Sequence, residues 1–425
     1  MTEEKLTLKR NLILLFSLYV TQYLGPSFFL EALAGILRKH GMPLERLSLI
    51  YLFGIFWLLK FLWAPLIDKV KLFKTHFKGW LVISQSLLVA IPLAIAMFSI
   101  VDDFTVIAVL FTLLSFISAT QDVAVDGLAY RILKGSERGL GSGIKIAGGM
   151  IGYMIGGGVT LIIYGYIGWS WCFVMLAAIT FIALVQVIFY KEPHFEIQSR
   201  EKIKYSGQFI SFWKGKSDWL LLLMVYPMGI SIVYILSTPI LVDLGWSLER
   251  IGFAVHVVGA VLGAFSSAMV GWLIKKIGKA KILISTTFIQ ALLIPLLLFP
   301  VNGYDNSFVV FMCVCAVLMV YSPSAAVLSV YMMDMSSEEM PATDYAMQHS
   351  LNLAVGLIAS MLGTAMAGFF GYSSVVIAGS VLSLAATVLA LLFSRRRDTV
   401  PSLVVKPVCS DCGAEMNLQI YGDNK

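Results

Sequence analysis

The sequence predicts an all-α membrane protein of about twelve transmembrane helices in two six-helix halves, both termini cytoplasmic. Three observations lead there. The 425 residues are 59% hydrophobic and 13% charged, where a soluble globular domain has roughly 45–50% and about 25%, so polar surface is too scarce to cover a water-soluble fold. Apolar runs long enough to cross a bilayer as helices, about 20 residues each, recur along the whole chain. The lysines and arginines, finally, collect on alternate connections between those runs.

The runs read as 11–36, 47–65, 79–99, 105–130, 141–165, 170–190, 219–242, 250–273, 280–300, 307–333, 344–370 and 372–394. They are continuous and lack the period-two alternation of a barrel strand. The first is too long for a cleaved signal peptide and lacks a small-residue cleavage site, so it reads as an uncleaved anchor. Lys5, Lys9 and Arg10, then Lys69 through Lys78, Arg131 through Arg138, Lys191 through Lys216, Lys275 through Lys281 and Arg395 through Lys425 fall on the side of the N-terminus. The other side holds only Arg38, Lys39, Arg46 and Arg250. This asymmetry places both termini inside, and it accounts for a net charge of +6 without a nucleic-acid partner. One inner connection departs from it: Asp334, Glu338, Glu339 and Asp344 stand there with no basic residue.

The longest connection, 191–218, is basic, carries Phe212 and Trp213, and reads as a linker lying on an anionic leaflet. It separates residues 1–190 from 219–394, with a tail at 395–425. The halves repeat weakly. Leu66-Ile67-Asp68-Lys69 corresponds to Leu273-Ile274-Lys275-Lys276, and Gly168-Trp169 to Gly371-Tyr372, a tight turn before the last run of each half. Paired six-span repeats are a plan of secondary transporters.

Charges inside a bilayer are costly and mark cavities or partners. The fourth run holds Gln121, Asp122 and Asp126, with the two carboxylates one turn apart on one face. Neighbouring carboxylates resist double ionisation, which is chemistry suited to carrying a proton. Lys60 and Lys145 are expected at the same depth, and they would equally make the group a structural ion network. Gln22, beside Pro26 in the first run, suits a cavity wall or helix–helix contact. Gln348 and Asn352 share a face of the eleventh run, next to His349, which suits titration or packing.

The fifth run is loaded with glycine, and Gly148 and Gly152 form a small-xxx-small pair for close helix approach. It contains no phosphate loop, since no Lys-Ser or Lys-Thr follows. Of the five cysteines, Cys409 and Cys412 form a lone CxxC, too few ligands for a structural zinc, and read as reduced thiols. No HExxH or other clustered metal or nucleophilic constellation suggests an enzyme.

Two stretches carry a family resemblance. Lys60-Phe-Leu-Trp-Ala-Pro-Leu-Ile-Asp-Lys69 with Gly79-Trp80-Leu81 and Gln85, and Ser118-Ala-Thr-Gln-Asp-Val-Ala-Val-Asp126, resemble the AmpG-like permeases of the major facilitator superfamily. That group holds the muropeptide permease, acetyl-CoA transporters and the RhtX/FptX siderophore permeases. Gly127-Leu128-Ala129, Arg138 through Gly143 and Thr343-Asp344-Tyr345 look closer to the siderophore branch. The resemblance implies a multi-pass symporter of a bacterial inner membrane that imports a siderophore-like solute by alternating access; a muropeptide or an acyl-CoA is the alternative, and a transporter-fold receptor that no longer transports is the alternative outside the class. The polar residues inside the runs give Asp122 and Asp126 for proton coupling and Gln22, Gln121, Lys145, Gln348, His349 and Asn352 for the solute; the resemblance implies Asp68 and Lys69 for a gate in which the carboxylate caps a neighbouring helix. The group's usual glycine is Ala64 here, with Pro65 after it. The expected partners are membrane lipid and one small solute, acting on a monomer with no cofactor beyond the coupling proton.

Overall fold

The computed structural model describes residues 3–28, 54–99, 103–193, 211–304 and 306–398. Arg38, Lys39 and Arg46, most of the 191–218 connection and the CxxC tail lie outside these residues. So do parts of the first two apolar runs, on which the expected count of twelve depends.

Among the described residues the chain is helical apart from one isolated bridge, Leu72 to Thr75. We label α1 Glu3–Ser27, α2 Ile55–Leu59, α3 Ala64–Lys69, α4 Phe77–Ile95, α5 Phe104–Ile132, α6 Arg138–Tyr153 and α7 Thr160–Phe189. Then come α8 Ser217–Val225, α9 Met228–Tyr234, α10 Ser237–Asp243, α11 Leu248–Ile251, α12 Gly259–Ile277, α13 Lys279–Leu293, α14 Leu298–Val301, α15 Ser307–Met335 and α16 Pro341–Asp398. Among the described residues, eight helical stretches are long and apolar enough to cross a membrane.

The last of these, 56 residues, would be roughly 84 Å long at 1.5 Å per residue, far beyond a bilayer. Gly371, at φ 77° and ψ 164°, folds it back. As a result Gly363 and Gly379, on opposite arms, both pack against α9. Gly168 repeats the conformation inside α7 at φ 74°. Only glycine visits this region without steric cost, so Gly168 and Gly371 mark the turn points the sequence suggested. Two π-helical stretches, Met154–Val159 after α6 and Gly252–Val258 before α12, lie in mutual contact.

Among the described residues the buried apolar side chains form three clusters. One, at the end bearing Lys69–Lys78 and Lys275–Lys281, joins both parts of the chain; Leu15, Phe77 and Leu128 lie in it with Trp219, Leu283 and Val327. Away from this basic end the clusters separate. Leu24, Phe28 and Phe111 belong to one, and Leu236, Ile294 and Val314 to the other. Among the described residues the two parts of the chain share a core at the basic end and not on the far side.

Close approach at that end rests on glycine. A Cβ on Gly143 would stand 2.7 Å from the carbonyl oxygen of Ser267, and one on Gly271 would stand 2.7 Å from that of Gly139. This lets α6 and α12 pack backbone to backbone. Gly148 and Gly152, the pair seen in the sequence, bring α6 equally close to α1 instead. The outside is apolar, with Phe265 at 63% and Met361 at 73% exposure, as a lipid-facing surface requires.

Candidate solute and proton site

Pro65 has no N–H to continue a helix, and the chain answers with a 3₁₀ turn, Lys60–Leu62, between α2 and α3. The Lys60 side chain is buried there and ion-pairs with Asp122 of α5. The Gln22 amide of α1 donates to the same carboxylate at 3.1 Å. One turn on, Asp126 takes the Lys145 ammonium of α6 between its two oxygens, each at 2.6 Å, and accepts the Tyr19 hydroxyl at 3.0 Å. Lys145 is also 3.8 Å from Asp122. Both carboxylates are almost fully buried. Two ammonium and two carboxylate groups cancel formally, the condition under which charges persist away from water.

The cluster sits where the shared core gives way to the two separate ones, and it reaches across the chain's two parts. Lys145 donates to the Tyr345 hydroxyl of α16 at 3.1 Å, and Tyr345 bonds Ser329 of α15 at 2.7 Å. The ammonium also stands 4.4 Å above the Tyr345 ring, a cation–π contact. His349, one turn further, lies nearly parallel to Tyr345 with ring centres 6.1 Å apart. Its Nδ1 is buried without a partner, as are the Asn352 amide nitrogen and the side-chain oxygens of Gln22 and Gln121. An unmatched buried polar group costs about 1–3 kcal/mol, so the Asn352 nitrogen is ready to donate, and the two amide oxygens and the His349 ring nitrogen to accept, a bond from a polar solute or a proton-carrying group.

One candidate is engaged elsewhere, and a second only through its amide nitrogen. The Gln348 amide donates to the carbonyls of Met332 and Asp344 at 3.0 Å each and accepts the Trp219 indole at 2.7 Å. That leaves it as a tie between helices with little left for a solute. The Gln121 amide is held by the Leu18 carbonyl at 3.1 Å.

At the basic end, the Asp68 carboxylate accepts the backbone N–H groups of Ala342 and Thr343 at 3.1 and 2.7 Å and the Thr343 hydroxyl at 2.6 Å. It thereby caps the first turn of α16, where the helix dipole favours an anion. Ala64 and Pro65 do not keep it from that position. Lys69, beside it, is exposed at the last turn of α3. The acidic connection that departed from the charge pattern finds cations on both sides of the interface. Asp334 pairs with Arg138 at 2.8 Å and with Lys279, and Arg131 donates to the Glu338 carbonyl. The basic end is closed.

Sequence reasoning missed Tyr19 and Tyr345, the residues that tie the cluster to α1 and across to α16. Their signal was spacing: Tyr19 lies three residues before Gln22, and Tyr345 four before His349, one turn in each case.

The two-part helical arrangement has counterparts among known proteins. The pattern of the Major Facilitator Superfamily matches residues 8–349 and, overlapping it, 219–407. The chain belongs to the major facilitator superfamily. It is 30% identical over 230 residues to an uncharacterized protein of Haemophilus influenzae, covering 52% of this chain and 54% of that one. It is 25% identical over 237 residues to the anhydromuropeptide permease of Escherichia coli K12, covering 52% and 48%. The chain thus spans about half the length of these two relatives. The match to putative transporter AmpG 3 of Rickettsia prowazekii is broader, 25% identical over 79% of this chain and 82% of that one. In fold, the human organic anion transporter TETRAN superposes with a TM-score of 0.71 at 14% identity, covering 90% of this chain and 99% of the other. The transporter FucP in the outward conformation gives 0.68 at 11%, covering 90% and 98%.

Proposed function

We propose that this transporter imports an anhydromuropeptide-like solute across a bacterial inner membrane, driven by protons. The observation that carries the coupling is the reach of one ion pair. Asp126 and Lys145 bond Tyr19 on one side and Tyr345 on the other, so the protonation state of Asp126 is felt in both parts of the chain. A proton on Asp126 removes the charge that holds Lys145, and loosens the ammonium's position against Tyr345. Asp122, held by Lys60 and Gln22 within the first part of the chain, serves as a fixed counter-charge. Asp68 on the α16 N-terminus acts as the gate at the basic end, read as cytoplasmic from the charge pattern. Residues 1–190 and 219–394 rock about the cluster as the gate opens.

The solute class follows the relatives, two of which are anhydromuropeptide permeases or putative AmpG transporters. A siderophore is the second reading, and it rests on Gly127-Leu128-Ala129, Arg138 through Gly143 and Thr343-Asp344-Tyr345. Those residues lie mostly in the closure: Gly127 packs on Phe77 and Ala342, Arg138 pairs with Asp334, and Thr343 bonds Asp68. They speak of the gate more than of the solute, which moves the muropeptide to first place. The test is counterflow in liposomes preloaded with unlabelled solute. Exchange of labelled anhydromuropeptide, with no exchange of a ferric siderophore, is expected. The reverse selectivity would establish the second reading.

A further inference from the structure

A pocket of about 290 Å³ opens at the basic end, well apart from the buried cluster, between the α3–α4 connection and the chain just after α7. Lys71, Lys74, Lys78 and Lys191 line it. Its one carboxylate, Glu192, is occupied: it accepts the N–H groups of His76 and Phe77 at 2.9 Å each and that of Lys78 at 3.3 Å. The Lys78 ammonium rests on the carbonyls of Ile188 and Tyr190 at 2.8 and 2.7 Å, which hold it in place and leave its charge intact. His76 also lines the pocket. It is 7% exposed, and both ring nitrogens are buried, facing the backbone of Ile67 and Asp68. Burial, with Arg131 and Lys71 nearby, lowers its pKa to about 4, so at neutral pH the ring is uncharged and the pocket's charge comes from its lysines.

The lip of the pocket is a two-residue turn closed by Leu72 and Thr75, whose backbone groups bond each other at 3.0 and 2.9 Å. Its central residues, Phe73 and Lys74, have φ of 53° and 61°. Turns of this type take Asn-Gly or Gly-Gly, because side chains resist positive φ. Here a phenylalanine and a lysine are held in that strained conformation, and the Phe73 ring is 74% exposed. Strain of this kind is kept where the surrounding structure imposes it, commonly at functional positions. The turn presents an apolar ring outward beside a cationic pocket, at the end of helices that span a membrane.

We propose that this pocket binds the phosphate headgroup of an anionic phospholipid, with Lys71, Lys74 and Lys191 as cationic contacts and Phe73 seated among the acyl chains. The volume suits a headgroup, lying at the low end of the roughly 300–1,000 Å³ of small-molecule sites. The exposed ring distinguishes a lipid from a soluble anion, which would gain nothing from it.

The test is native mass spectrometry of the full-length protein titrated with phosphatidylglycerol or phosphatidylcholine. Preferential retention of phosphatidylglycerol is expected. Each lysine near a membrane surface contributes about fivefold, so the triple variant Lys71→Gln/Lys74→Gln/Lys191→Gln should weaken retention about a hundredfold. Removing equal charge elsewhere, with Lys275→Gln/Lys276→Gln/Lys281→Gln, should leave it unchanged. Should the triple variant fail to insert, Lys74→Gln alone carries the test, with about a fivefold loss expected. Equal retention of the two lipids, equal loss in the control variant, an unchanged Lys74→Gln, or displacement by equimolar inorganic phosphate would each overturn the proposal.

Discussion

Asp122 and Asp126 differ by one helical turn and yet have different neighbourhoods. The Asp122–Lys60 pair is confined to the first part of the chain, whereas Asp126–Lys145 touches both. Asp126→Asn should therefore abolish accumulation against a gradient while counterflow continues, as read by uptake in liposomes. Loss of both activities would make the residue structural. Asp122→Asn should instead destabilise, because it strands the buried Lys60 ammonium, at a cost of about 3–5 kcal/mol. Replacing both partners, Lys60→Met with Asp122→Leu, should recover most of that stability in thermal unfolding. Failure of the double replacement to do so would mean the charges themselves hold the fold. The carboxylates and lysines were legible in the sequence because ionisable residues stand out in apolar runs. The tyrosines were not, since tyrosine is ordinary in membrane helices, and nothing local says which hydroxyl will meet which charge. Gln348 is ambiguous for the same reason: a buried amide looks alike whether it serves a solute or ties helices together.

The α6–α12 contact and the Asp68 cap belong to the scale of elements. Gly143→Leu would drive a side chain into the Ser267 carbonyl. Overpacking of this kind costs typically about 1–3 kcal/mol, so closure of the basic end should be disfavoured. Labelling of a cysteine at position 138 should rise in the variant, and unchanged labelling would show that α6 and α12 can part without opening the gate. Asp68, beyond the end of the second apolar run, has its carboxyl pushed up to about 7 by burial, although the bonds from Thr343 and Ala342 pull the other way; nearby Asp344 adds to the rise. With the open, hydrated gate near the ordinary 3.8, closing takes up a proton in between. The closed state therefore gains as the pH falls through about 7, and that contribution is lost as the pH rises past it. Closure measured at pH 6 should exceed that at pH 8, and Asp68→Asn should flatten the difference. The opposite trend would mean the carboxylate closes the gate in its charged form. The glycines of the fifth run and the turn glycines were readable from composition and spacing. The two π-helical stretches and the strained Phe73-Lys74 turn were not, because no residue pattern marks them and only tertiary packing imposes them.

For the whole molecule, the fold was legible at the level of class. Long apolar runs, alternating basic connections and a weak repeat are consequences of the bilayer itself, so they survive in any one sequence. Which end is closed was not legible, because closure depends on pairs such as Arg138 with Asp334, nearly 200 positions apart, in a connection whose acidity looked like an exception. In transport the shared core at the basic end should come apart, and the separate cores on the far side come together, under control of the Asp126–Lys145 link. The most direct measurement is the distance between spin labels at positions 134 and 339, on exposed sites across the gate, in liposomes with and without anhydromuropeptide, for the wild-type chain and for Asp126→Asn. The prediction is a short distance in the free wild-type protein, a second and longer population when solute and an acidic exterior are supplied, and a distribution in Asp126→Asn that no longer responds to the exterior pH. One distance under every condition, or a pH response that survives in Asp126→Asn, would contradict it.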